Sequence, residues 1–131
     1  MIVLDTHVMI WWLSNPEKLS KRANSAIAQG VNGKEIYVSS ISTWEMAMLV
    51  ARGRLDLTMD VRDWISAAES LPFLHFIPVS NNIAIKSVQL PEFKYNDPAD
   101  KIIIATTVTL KAVLITKDSK ILEYPHVKTL W

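Results

Sequence analysis

The sequence predicts an α/β fold, a three-layer α/β/α sandwich with a mostly parallel central sheet. Three observations lead there. Short apolar runs of β-type character recur along the chain, segments with helical spacing separate them, and acids stand just after several of the runs. Parallel strands need crossovers of that length, and their helices cover both faces of the sheet. The 131 residues suit one domain, taken as 1–131, because no linker, repeat or low-complexity tract interrupts them.

The elements follow in order. Met1-Ile-Val-Leu-Asp5 is an apolar run ending in an acid, the pattern of a buried central strand leaving its sheet. Residues 7–13 are helical until Asn15-Pro16 breaks the pattern. Leu19, Ala23, Ala26 and Ile27 keep helical spacing across about 18–29, and Gly30 with Asn32-Gly33 is expected to close that helix. Ile36-Tyr37-Val38 is a second β-type run. Residues 43–52 form a helix with Gly53 just past its end. A further helix is expected from Asp60 to about Ser70, ended by Leu71-Pro72. A third strand over 74–79 is weakened by Pro78, and a short helix over 81–90 precedes Pro91. Residues 98–110 carry a long Ile/Ala/Thr-rich helix, 112–115 a strongly apolar fourth strand, and Val127 to Leu130 a fifth.

Composition removes whole classes of function. Half of the residues are hydrophobic and 21% are charged, with 14 basic against 13 acidic side chains. Such a chain folds rather than staying disordered. It has no cysteine, which excludes disulfide scaffolds, thiolate zinc sites and cysteine nucleophiles. His7, His75 and His126 are too scattered for a histidine metal site. Gly30, Gly33 and Gly53 belong to no GxxxxGK or GxGxxG phosphate loop, and there is no GxSxG nucleophile elbow. Catalysis is left to carboxylate, hydroxyl and lysine chemistry. No apolar stretch approaches the ~18–20 residues of a membrane span. No basic segment precedes the N-terminal apolar residues, which meet Asp5 at once. The expectation is a soluble, cytoplasmic protein that engages no membrane.

Asp5, Glu45, Asp97 or Asp100, and Asp118 each follow an apolar run near the start of a helix. One reading is structural. Asp, Ser and Thr cap helices, and acids in the first turn complement the helix dipole. Ser42-Thr43-Trp44-Glu45 fits a capping box, and Asp97-Pro98-Ala99-Asp100 reads as cap, proline, then an early acid. The other reading is chemical. Ligands of open parallel sheets bind beyond the carboxyl ends of the strands, where such acids converge. Carboxylates gathered there repel one another unless a cation compensates. Oxygen donors without Cys or His suit Mg²⁺ or Mn²⁺, which polarises a phosphodiester and activates water.

The motifs together resemble a known family. Met1-Ile-Val-Leu-Asp5-Thr6-His7 with Trp11-Trp12, then Val38-Ser39-Ser40 with Trp44-Glu45, is similar to the PIN-domain ribonucleases, and most of all to VapC-type toxins of toxin–antitoxin systems. Asp97-Pro98-Ala99-Asp100-Lys101 with Ile104-Ala105-Thr106, and Leu114-Ile115-Thr116-Lys117-Asp118, extend the likeness over almost the whole chain. The resemblance implies a PIN-like fold and a Mg²⁺- or Mn²⁺-dependent endoribonuclease held inactive by a cognate antitoxin. It places the family's acids on Asp5, Glu45, Asp100 and Asp118, with Asp5, Asp100 and Asp118 on the metal and Glu45 orienting water or a second ion. Asp100 is preferred to Asp97 because the family acid directly precedes the Ile/Ala/Thr-rich segment; Asp97 is then the helix cap. Thr6 and Thr116 are expected near carboxylates or phosphate. Lys101 and Lys117, each beside a site acid, are the candidate phosphate contacts.

Setting the four site acids aside leaves 14 basic residues against 9 acidic, a surplus that attracts RNA. Trp11 and Trp12 point about 100° apart on their helix, so one of them is expected to meet a partner. With Met46, Met48 and Leu49 they make a candidate surface for a homodimer and an antitoxin tail. His7 is expected to pack or cap rather than act as a base. Two rivals stand beside the nuclease: a non-catalytic PIN-like module that binds RNA or protein and whose acids are helix caps, and phosphoryl transfer through Asp5. The latter lacks the second acid of a D-x-D pair.

Overall fold

The computed structural model describes residues 1–131. Five parallel strands form one sheet: β1 (Ile2–Leu4), β2 (Ile36–Ser39), β3 (Leu74–Ile77), β4 (Val113–Ile115) and β5 (Thr129–Leu130), in the order β3-β2-β1-β4-β5. The crossovers hold α1 (Thr6–Ser14), α2 (Lys21–Gly33), α3 (Ile41–Ala51), α4 (Val61–Glu69), α5 (Asn81–Val88), α6 (Pro98–Leu110) and α7 (Ser119–Leu122). A 3-10 turn at Pro16–Lys18 sits where Asn15-Pro16 stops α1. No helix is long and apolar enough to cross a membrane.

Alternation along the strands builds the layers. Ile2 and Leu4 of β1, with Ile36 and Val38 of β2, face a larger core completed by Val8, Met9 and Ile10 of α1, Ala23 and Ile27 of α2, and Trp64 of α4. Val3, between Ile2 and Leu4, faces a smaller core with Leu114 of β4, Ile103 and Ile104 of α6, and Ile121 of α7. Neighbouring strand residues point to opposite faces, so each three-residue strand feeds both cores. The chain leaves β1 toward β2 on one side, and β4 docks on the other. The strand order therefore reverses between β1 and β4, and a crevice opens beyond their carboxyl ends.

The structure corrects several sequence expectations. Gly30 does not end α2, which runs on to Gly33. A Cβ at Gly30 would stand 2.7 Å from Ile36 Cγ1, so the bare glycine lets α2 settle directly on β2. Helix α3 starts at Ile41, where Ser39 Oγ accepts the Ile41 N–H at 3.1 Å. The Ser42–Glu45 capping box is therefore not made; Ser42 lies within the helix and its hydroxyl turns to Thr6. Met46 is fully buried in the larger core rather than exposed, because it lies on the face of α3 turned to the sheet. Trp11 and Trp12 both pack against that core. Trp12 meets Phe73 at 5.9 Å and Trp11 meets Trp131 at 6.0 Å, and both indoles stay half-buried. The exposed tryptophan is Trp44.

Candidate active site

Asp5 ends β1 and caps α1. Its Oδ1 accepts the Thr6 N–H at 2.8 Å, which uses one of the free donors at a helix start. Its Oδ2 accepts the Thr116 hydroxyl at 2.6 Å, from the residue just past β4. His7 Nδ1 lies 3.6 Å from the same oxygen, and His7 Nε2 accepts the Lys117 N–H at 3.2 Å, which puts the ring hydrogen on Nδ1. Asp5 is only 4% exposed, and Thr116 is fully buried. The crevice between β1 and β4 is thus closed from below by a carboxylate and a hydroxyl holding each other.

Glu45 approaches from α3. Thr6 Oγ1 donates to Glu45 Oε1 at 2.5 Å and pairs with the buried Ser42 Oγ at 2.8 Å. With the Thr6 hydrogen committed to Glu45, the hydrogen between the two hydroxyls comes from Ser42. A chain Ser42–Thr6–Glu45 therefore ties α3 to the start of α1. Burial is the main influence raising the Glu45 pKa; the Thr6 hydrogen bond opposes it, and Asp5 and Asp97 add to it.

Asp97 and Asp100 come from the start of α6. Asp97 Oδ1 caps the helix, accepting the N–H groups of Ala99 at 2.9 Å and Asp100 at 3.2 Å. Pro98 takes the first helical position, where a missing N–H costs nothing. Asp100, in the first turn of the helix, does not cap. It is 8% exposed, and its pKa is pushed up to about 7, first by burial and then by the charges of Asp97, Asp5 and Asp118. Asp118 caps α7 through Oδ1 and the Lys120 N–H at 2.9 Å, and its own N–H is held by Thr116 Oγ1 at 3.0 Å. Lys120 Nζ lies 3.8 Å from Asp100 Oδ2 and 3.9 Å from Asp118 Oδ2, the one ammonium at these carboxylates.

Asp5, Glu45, Asp97, Asp100 and Asp118, with Thr6, His7 and Lys120, line one cleft of about 240 Å³. All four acids singled out in the sequence are brought together there, and Asp97 joins them as a cap whose charge is felt by Glu45 and Asp100. Lys101 and Lys117 do not line the cleft. Lys101 is half-buried on α6, whereas Lys117 is exposed with its ammonium 5.7 Å from the Trp11 ring centroid. The lysine of the cleft is Lys120, which sequence reasoning passed over. Its signal was a position two residues beyond Asp118, in the first turn of the helix that Asp118 caps.

The donors are all oxygen, and their negative charge exceeds what one ammonium offsets. That chemistry fits a hard divalent cation. No three of these side chains already stand together as a metal cage. The arrangement suits an ion that keeps several waters and takes one or two carboxylates directly.

A family model described as PIN domain matches residues 2–127. The chain is 31% identical over 132 aligned positions to "Ribonuclease VapC22" of Mycobacterium tuberculosis, covering 99% of this chain and 98% of that protein. Among solved structures it is similar to VapBC2 from Rickettsia felis bound to a promoter DNA fragment, with TM-score 0.73, 16% identity and coverage of 99% and 98% of the two chains. It is also similar to FitAcB from Neisseria gonorrhoeae, with TM-score 0.70, 21% identity and coverage of 100% and 97%. End-to-end identity at that level, carried on this sheet order with its acids at the β1–β4 crevice, has one explanation: the chain belongs to the PIN-domain family, in its VapC-type branch.

Proposed function

We propose that this chain, as one domain over residues 1–131, is a divalent-metal-dependent endoribonuclease and the toxin of a toxin–antitoxin pair. The observation that carries the reading is Asp100: a buried carboxyl that caps nothing, surrounded by three other acids and compensated only by Lys120. Helix caps account for Asp5, Asp97 and Asp118, and that favours the rival reading of a non-catalytic binding module. Capping does not use Asp100; as a first-turn acid it complements the dipole of α6, but it is buried among three like charges, which weakens a fold. Similarity to a named ribonuclease over the full chain supports the catalytic alternative.

Under this reading Asp5, Asp100 and Asp118 would hold Mg²⁺ or Mn²⁺, one or two of them directly and the rest through the ion's waters. When bound, the ion polarises the phosphodiester and supplies a nucleophilic water at neutral pH. The chain's own residues do the rest. Thr116 fixes the rotamer of Asp5, and the Ser42–Thr6 pair aims Glu45 into the cleft, where it orients the attacking water and accepts its proton. Lys120, partly exposed, turns from the carboxylates to a phosphate oxygen and stabilises developing charge. The partners are RNA, a cognate antitoxin and a second copy of the chain; a similar solved structure, from Klebsiella pneumoniae, is a toxin–antitoxin complex. The test is cleavage of RNA by purified chain across a Mg²⁺ or Mn²⁺ titration, with EDTA and Asp100→Asn as controls. Dependence on the ion and loss in the variant support the reading. RNA binding without ion-dependent cleavage would leave the binding module.

A further inference from the structure

A second cavity, of about 210 Å³, adjoins the acidic cleft and shares Lys120 with it. Its walls are aromatic. Phe93 meets Tyr95 edge-on at 5.6 Å and Tyr124 edge-on at 5.0 Å. Tyr124 is buried, and its hydroxyl donates to the Pro91 carbonyl at 2.6 Å, so the floor is rigid. Tyr95 differs: it is 37% exposed, although the sandwich core beneath it is already complete. The Lys120 ammonium lies 5.4 Å from the Tyr95 ring centroid, and its other neighbours are Asp100 and Asp118. One side chain thus spans from an exposed ring to the carboxylates.

An accessible aromatic ring, a fixed aromatic floor and an adjacent ammonium are the parts of a single-strand stacking site. Unpaired RNA bases are held by such rings and by hydrogen bonds to their edges. Glu92 and Glu123 also line the cavity, together with Lys94. Their carboxylates suit the N–H edge of a neutral base.

We propose that the Phe93–Tyr95–Tyr124 cavity seats one unpaired RNA base beside the bond being cut, with Tyr95 stacking on the base and Lys120 meeting the adjoining phosphate. The inference rests on the ribonuclease reading and gives the substrate a place outside the carboxylates. Tyr95 is a positioning residue: it sets which base is presented and does not touch the reacting phosphorus.

The test uses short single-stranded oligoribonucleotides carrying 2-aminopurine, whose fluorescence falls on stacking, mixed with the full chain in EDTA. Wild type should quench the probe. Tyr95→Ala should bind roughly 5- to 100-fold more weakly and lose the quench, as expected for one lost stacking partner. Tyr95→Phe should retain both, and unchanged melting of each variant shows that the fold is intact. With Mg²⁺ or Mn²⁺ added, Tyr95→Ala should raise KM while kcat is largely kept, and the preference among bases should relax. Wild-type quenching and cleavage by Tyr95→Ala would overturn the subsite and leave the nuclease standing. So would a Tyr95→Ala chain that keeps RNA affinity but no longer captures its antitoxin, which would make the cavity a protein seat. A wild-type chain that neither binds nor cuts any RNA would overturn both readings.

Discussion

Asp5 at the end of β1 and Asp100 at the start of α6 are buried carboxylates on one cleft, and the surrounding structure treats them in opposite ways. Both oxygens of Asp5 receive donors, the Thr6 N–H and the Thr116 hydroxyl, and His7 stands nearby. Asp100 receives no hydrogen bond and has only the Lys120 ammonium at 3.8 Å. The difference comes from position. Asp5 lies at a helix start, where unpaired N–H groups are available, and beside the end of β4, which brings a hydroxyl. Asp100 is the third residue of α6, where its own N–H is already taken by the Asp97 cap. A carboxylate satisfied by the chain is a fixed point of the cleft. One left in excess of its donors is where an added cation gains most.

The largest expected effect removes each acid in turn. Asp5→Asn and Asp100→Asn should each lower cleavage by about 100-fold or more, the scale of losing a preorganised electrostatic group. Their stabilities should part. Asp100→Asn should raise the melting temperature of the metal-free chain above pH 7, since it removes one of several repelling charges. Asp5→Asn should lower it, because an amide offers one acceptor oxygen where two donors converge, at a cost of about 1–3 kcal/mol. Equal shifts in the two variants would erase the contrast.

Thr116→Val tests the support of Asp5 without touching a carboxylate. It should reduce cleavage by roughly 10–100-fold, as losing an orienting partner of a ligand does, and Thr116→Ser should restore it. A wild-type rate in Thr116→Val would mean that the hydroxyl does not orient Asp5.

The excess charge at Asp100 has a pH signature. Unfolded Asp releases its proton near its ordinary value of 3.8, whereas folded Asp100 keeps it until about pH 7. The folded chain binds more protons across that window, so metal-free stability should fall as pH rises from about 4 to 7 and level off above. Glu45, also raised, adds the same sign. Urea unfolding on either side of pH 7 measures the slope. It should shrink in Asp100→Asn and be offset by Mg²⁺, which stabilises the folded chain by mass action. A slope unchanged by the variant would remove Asp100 as its source.

The smallest effect belongs to Asp97. Asp97→Ala should cost about 0.5–2 kcal/mol as a lost cap, while the folded fraction still cuts RNA. Abolished cleavage at intact stability would move the site acid from Asp100 to Asp97.

The resemblance in the sequence led to all four acids because three of them lie where local rules operate, at strand ends and helix starts. Glu45 was placed by the resemblance, and it is the rival structural reading of it that fails. The Ser42–Glu45 spacing read as a capping box, yet Ser42 lies inside α3 and serves Thr6 across the cleft. Among the C-terminal lysines, adjacency in sequence favours Lys101 and Lys117 over Lys120. Lys117 is drawn to Trp11 instead, while the short helix α7 turns Lys120 back over Asp118. The same limit hid Met46 and the two tryptophans, whose exposure depends on what α3, Phe73 and Trp131 cover.

Short continuous apolar runs, helical spacing and the Asp97-Pro98 cap are local interactions, settled within a few residues by backbone geometry and burial. The sequence by itself therefore determined the α/β class, the order of elements and the acids at their junctions. Which hydroxyl holds which carboxylate, and which lysine reaches the cleft, was decided only by the tertiary structure. The hydroxyl contacts join residues 36 to 111 positions apart, and they exist only once β1 and β4 pair and α3 packs across their ends. Hydrogen bonds and charge repulsion act over a few ångströms, so they follow distance in space rather than distance along the chain.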